Sequence, residues 1–192
     1  VTIITQRNTT TSPIHELLGN RWSPRGFAAD HVVGEEELRS LIEAARWAPS
    51  AFNKQPWGFI VGRRGTETFG KIFDSLAEFN QLWNRNVSAL IVTLARTEID
   101  GEPFATAHYD LGQAAAHLSF QAESLGLNVH QMTGFDADAI AERFPLPAGY
   151  QPYTVIAVGV HSTDESIPEK IRDRDSGPRE RQGVDDILLG FE

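Results

Sequence analysis

At 192 residues, 41% hydrophobic and 22% charged, the chain has ordinary globular composition, which excludes wholesale disorder and fibrous classes. A formal net charge of −9 argues against a nucleic-acid partner, because affinity for phosphate backbones comes mostly from clustered positive charge. The absence of cysteine removes disulfides, thiolate metal sites and cysteine nucleophiles.

The stretch 1–12 is polar and Thr-rich, and is expected to be a flexible N-terminus without the apolar core of a signal peptide. Residues 34–47 predict an amphipathic helix. Leu38, Leu41, Ile42 and Ala45 recur at helical spacing, Glu35, Glu36 and Glu37 suit its positive start, and Pro49 stops it. A short apolar strand is expected at 57–62, and helical spacing returns over 66–79 through Phe69, Ile72, Phe73 and Leu76. Residues 88–94 read as a buried strand by length and β-branching. The longest apolar run, 89–95, is interrupted by Thr93 and falls far short of the roughly 20 residues that span a membrane, so no membrane partner is expected. The longest helical pattern covers 105–125, with Gly126 in a terminating position. A short strand is expected at 128–132. A helix capped by Asp136 should run to Phe144, and the clearest strand lies at 153–160. Residues 162–192 form a charged extension ending in the apolar group Ile187, Leu188, Leu189 and Phe191. This pattern predicts a single α+β domain over residues 1–192. With no cysteine and no signal-peptide core, the cytoplasm is the expected compartment.

The common chemistry motifs are missing. There is neither a G-x-G-x-x-G fingerprint nor a P-loop, no H-E-x-x-H and no G-x-S-x-G elbow. The six histidines are scattered, and no metal site is expected. An enzyme of this composition needs a cofactor to supply its reactivity.

Two segments carry more information. In Asn20-Arg21-Trp22-Ser23-Pro24-Arg25-Gly26-Phe27, an extended backbone would set Arg21, Ser23 and Arg25 on one side, two guanidiniums around one hydroxyl. Alone this is either an anion-binding edge or a solvated surface loop. In 48–57, two prolines bracket Ser50, Asn53 and Gln55 between a helix and a strand. Those side chains suit a flat heteroaromatic edge, or simply a tight connection.

Taken in order, the two segments resemble the nitroreductase family of FMN-dependent oxidoreductases. The resemblance continues through Asn80 before the strand at 88–94, Asp110-Leu111-Gly112, Leu125-Gly126-Leu127, Met132-Thr133-Gly134-Phe135-Asp136 and Pro178-Arg179-Glu180-Arg181. It covers about residues 14 to 191. It implies a central, mainly antiparallel sheet flanked by helices, with the C-terminal arm exchanged across a homodimer that holds FMN at its interface. Arg21, Trp22, Ser23, Arg179 and Arg181 would surround the FMN phosphate. Arg25 would face flavin N1 and O2, and Asn80 the same ring edge. Pro49, Ser50, Ala51 and Asn53 would approach from the partner subunit. The backbone of Thr133 and Gly134 would aim an N–H at flavin N5, so Gly134 and Arg25 are the catalytic candidates. Phe52, Phe104, His108 and Tyr109 are candidates for the substrate pocket. The implied reaction is a ping-pong hydride transfer from NADH or NADPH to FMN, then reduction of a nitroaromatic, quinone or related acceptor. A flavin-storing or sensing protein, or a relative with dehalogenating or flavin-fragmenting chemistry, is the alternative. Ala51, Trp83, Gln131 and Thr133 depart from residues common in the family.

Overall fold

The computed structural model describes residues 7–190. Residues 1–6 of the expected flexible stretch, and Phe191 of the apolar end, lie outside the described residues. The helices are α1 (Glu16–Asn20), α2 (Glu35–Arg46), α3 (Glu67–Phe73), α4 (Glu78–Asn84), α5 (Ala107–Ser124), α6 (Ala137–Arg143), α7 (Glu169–Ser176) and α8 (Val184–Ile187). The strands are β1 (Trp57–Arg63), β2 (Ala89–Arg96), β3 (Glu98–Ile99), β4 (Glu102–Pro103), β5 (Asn128–Met132) and β6 (Tyr150–Gly159). The architecture is α+β. Its main sheet has the order β1-β2-β6-β5 with every pair antiparallel, and β3 and β4 form a separate hairpin. Among the described residues no helix is long and apolar enough to cross a membrane.

Strand alternation divides the core. Ala89, Ile91 and Ala95 of β2, with Ile156 and Val158 of β6, point to one face, where α2 and α5 pack. Leu90, Val92 and Leu94, with Val155 and Ala157, point to the other, against α3, α4, α6 and α7. Both faces are covered, so β2 reads as a continuous apolar run from Ala89 to Ala95, broken only by Thr93. Burying each large side chain of this kind contributes roughly 1.5–3 kcal/mol relative to exposing it.

Local signals set the element ends. Glu37 accepts the Gly34 N–H at 2.7 Å and opens α2, and Asp136 accepts from Ala139 and opens α6. Gly126, at φ +72°, closes α5 while the Leu127 N–H returns to the Ala122 carbonyl.

The expected helix over 66–79 is instead two helices, α3 and α4. Between them Leu76 bridges Phe135, and the Ala77 N–H donates to the Gly134 carbonyl. This tertiary pairing overrides a periodicity that by itself would run on. The segment after 162 holds α7, whose Ile171 is fully buried, so its first half belongs to the core rather than to a loose extension. A β-bulge in β6 pairs Thr93 with Thr154 and Leu94 with Pro152, leaving Tyr153 out of the ladder.

Candidate active site

The segment Arg25-Gly26-Phe27 runs alongside the chain that leaves β6. The Ala28 N–H donates to the Val160 carbonyl, Ser162 N–H to Gly26, and Phe27 bridges His161. From the other end of the sequence, α7 brings Asp175 beneath this segment. The Asp175 carboxylate accepts the Arg25 N–H at 2.8 and 3.0 Å and the Gly26 N–H at 2.7 Å. The chain after α7 then turns Arg179 and Arg181 toward Arg21.

The result is a cavity of about 300 Å³ lined by residues from both chain ends, with His130 of β5 in its wall. Arg21, Ser23 and Arg25 all line it, and Trp22 between them lines it too. Arg21 Nη1 donates to Ser23 Oγ at 3.3 Å. Five arginines (Arg21, Arg25, Arg174, Arg179 and Arg181) line it with one carboxylate, Asp175, whose oxygens accept backbone N–H groups, and the Arg174 guanidinium lies over the Phe79 ring, 4.9 Å from its centroid. Among the described residues the ion pairs are Arg39–Glu35, Arg46–Glu43 and Lys71–Glu67, all elsewhere on the molecule.

The crowding is visible in the electrostatics. Burial, reinforced by Arg181 and Arg179 and opposed by Glu123, pushes the Arg21 pKa below its ordinary value. Burial also lowers Arg25, with Asp175 opposing and Arg174 adding to the shift. Burial lowers Arg179 as well, with Arg7 and Arg181 adding and Asp175 opposing. Guanidinium stays charged at any working pH, so the cavity is a preformed, positively charged hole in an acidic chain. Burial pushes the His130 pKa down, and the Pro24 carbonyl, which can only accept, fixes the proton on its Nδ1 at 2.9 Å.

A second cluster surrounds Gly134. Asn80 Nδ2 donates to the Gly134 carbonyl at 2.8 Å, and Asn80 Oδ1 accepts the Trp83 indole N–H at 3.2 Å. A Cβ at position 134 would stand 2.5 Å from Asn80 Nδ2, so a larger residue there would displace the Asn80 amide from the Gly134 carbonyl. The neighbouring Thr133 is exposed.

The remaining candidates stand apart from the arginine cavity. Pro49, Ser50, Ala51, Phe52 and Asn53 form an irregular loop after α2. Phe52 and Asn53 sit at φ 51° and 53°, and Phe52 is 91% exposed. Asp110 of α5 anchors the loop by accepting the Ala51 N–H and the Thr106 hydroxyl, both at 3.1 Å. Nearby on the α5 start, His108 stacks on the bulged Tyr153 at 4.4 Å, Tyr109 is exposed and Phe104 half-buried. None of these residues lines the arginine cavity within one chain.

A larger open groove, about 920 Å³, lies between α2 and the β1–α3 turn. Its charges are of both signs, and its Arg39 is already paired with Glu35 at 2.9 Å, so the cationic chemistry resides in the smaller cavity.

Sequence reading missed Arg7, His130, Arg174 and Asp175. The spacing of Ile167, Ile171 and Asp175 by fours was the available helical signal in the charged run. Nothing local marked His130 or Arg7.

The profile of the Nitroreductase family matches residues 18–82 and 77–160. A relative from Mycolicibacterium smegmatis, the "Uncharacterized 15.4 kDa protein in ask 5'region", is 36% identical over 138 residues, covering 68% of this chain and 93% of its own. The "Major NAD(P)H-flavin oxidoreductase" of Aliivibrio fischeri is 24% identical over 93% of this chain and 98% of its own. A solved structure described as an oxidoreductase containing FMN superposes with a TM-score of 0.90 at 31% identity, covering 98% of this chain and 96% of that one. With the profile spanning most of the chain and the antiparallel sheet arranged as the motifs imply, the chain belongs to the nitroreductase family.

Proposed function

We propose that the chain binds FMN in the arginine cavity. As a homodimer it passes electrons from NADH or NADPH to a nitroaromatic, quinone or related acceptor. The observation that carries this reading is the set of arginines gathered from both chain ends around one cavity, Arg21, Arg25, Arg179 and Arg181 among them, which outnumber the two carboxylates that act on them, Asp175 and Glu123. That donor set fits a phosphate monoester, for which guanidinium offers paired, charge-assisted N–H groups. FMN, when bound, supplies the redox chemistry that no acid, base or nucleophile constellation of the chain provides.

The chain's own residues bind and orient. Arg21, Ser23, Arg179 and Arg181 hold the phosphate. Arg25, tethered through its backbone to Asp175, brings a fixed positive charge to the ring's pyrimidine end, where negative charge develops on reduction. Asn80 fixes the Gly134 turn, whose N–H no group accepts from among the described residues. Trp47 and Phe52 are exposed aromatic side chains on or beside the α2 loop, and Tyr109 is another on α5. Such a surface supports a second copy packing there and completing the pocket with Phe52, Phe104, His108 and Tyr109. The FMN named for the structural relative and the NAD(P)H–flavin activity named for the Aliivibrio relative support the same reading.

The test is a visible spectrum of the purified protein without oxygen, before and after NADH or NADPH. The expected result is an oxidised-flavin band that either nicotinamide bleaches and an added quinone or nitroaromatic restores. A colourless protein that takes up no added FMN overturns the proposal. A yellow protein that neither nicotinamide bleaches overturns its catalytic half.

A further inference from the structure

Trp22 is 6% exposed and forms part of the cavity wall. Two guanidiniums lie over its ring, Arg179 at 4.3 Å and Arg7 at 3.5 Å from the ring centroid, and His161 meets it edge-on at 4.8 Å. Arg179 makes no hydrogen bond or ion pair with the described residues, so the indole is the contact that holds its head group in the cavity. Arg7 is itself well placed. Its N–H donates to Asn20 Oδ1 at 3.1 Å, and the next residue, Asn8, donates from its N–H to Gly19 and from its side chain to the Arg21 carbonyl. Thus the stretch before α1, expected to be loose, is laced at residues 7 and 8 onto the segment that carries Arg21. Arg7 does not line the cavity, whereas Trp22 and Arg179 do.

We infer that Arg7 is a positioning residue for the FMN phosphate: stacked on Trp22, it fixes the indole surface against which Arg179 is held. The electron-rich ring face attracts both cations and offsets their mutual repulsion, so removing one loosens the shared support of the other. A flexible arginine held in its binding geometry loses less freedom when the ligand arrives, and the gain appears as affinity. This inference rests on the flavin reading above.

The full chain, freed of flavin, is titrated with FMN and separately with riboflavin, which lacks the phosphate. Wild type, Arg7→Ala, Arg7→Gln, Arg7→Lys, Arg179→Ala and the Arg7→Ala/Arg179→Ala double variant are compared by flavin fluorescence. Loss of the stacked cation in Arg7→Ala or Arg7→Gln should weaken FMN about five- to tenfold and riboflavin less than about twofold. Arg7→Lys, which keeps a cation over the ring, should restore most of the affinity. The double variant should bind FMN no more weakly than Arg179→Ala alone. Unchanged FMN affinity in both neutral variants overturns the inference, as does an equal loss for both flavins or a fully additive double variant. Wild type that binds FMN no better than riboflavin instead overturns the phosphate reading itself.

Discussion

Asp175 and Arg25, 150 positions apart, are joined by the carboxylate of the first accepting the backbone N–H of the second at 2.8 and 3.0 Å. The Gly26 N–H is taken by the same carboxylate at 2.7 Å. Asp175 is 8% exposed, so both donors are satisfied away from water. Asp175→Ala should therefore cost about 1–3 kcal/mol, the range for leaving a buried donor without an acceptor. Urea denaturation checks this. Asp175→Ala should also let the two chain ends part, so flavin retention on gel filtration should fall along with the midpoint.

Arg21 and Arg179 stand on opposite sides of the sequence but line one cavity. Each should contribute a charge-assisted bond to a phosphate, worth about 1.5–3 kcal/mol. Arg21→Ala and Arg179→Ala should each weaken FMN about tenfold to a hundredfold in equilibrium titration. Arg25→Ala acts differently. It removes positive charge from the side of the ring that becomes negative, so the flavin midpoint potential should drop by more than binding alone explains, as read by equilibration with redox dyes.

The acid limb of stability should carry a histidine signature. Burial holds the His130 pKa below its ordinary value in the folded chain. Unfolded, the ring takes its proton near pH 6.5. Below about pH 6.5 the unfolded state thus binds the extra proton first, and stability falls as pH falls. Above that pH the group contributes no slope. His161 is shifted in the same direction, mainly by burial. His130→Gln, whose amide can still donate to Pro24, should flatten the loss between pH 6.5 and 5.5 relative to wild type, by at most about 1.4 kcal/mol per pH unit. Thermal melts across that interval measure the difference.

Phe52 holds a left-handed backbone, φ 51°, while its side chain is 91% exposed and gains little from burial in one chain. Left-handed geometry costs a β-carbon-bearing residue roughly 1–2 kcal/mol, which glycine avoids. Phe52→Gly should leave the melting temperature unchanged or raise it by a few degrees. If the aromatic ring contacts acceptor across a homodimer, the same substitution should raise KM for a nitroaromatic several-fold while FMN affinity stays at the wild-type value.

Much of this protein was legible one segment at a time. The apolar periods of α2, β2, α5 and β5 come from burial on one face or both, and they hold wherever the chain packs. Arg21, Ser23 and Arg25 are likewise close in sequence, so their lining one cavity followed from a single short segment, in which Trp22 lines it too. Where neighbours in space are distant in sequence, the pattern ran out. The break between α3 and α4 is imposed by Phe135 and Gly134, more than 50 residues later, which claim the backbone of Leu76 and Ala77. Asp175 was one acid among many in a charged run until α7 buried it under Arg25. Arg7 lay in a polar stretch until Asn20 accepted its N–H, and the Gly19 and Arg21 carbonyls accepted from neighbouring Asn8, setting it beside Trp22. Hydrophobic spacing records which face of an element is buried. Only the folded chain decides which charges then meet, because a hydrogen bond between residues 7 and 20 or 25 and 175 leaves no period in the sequence.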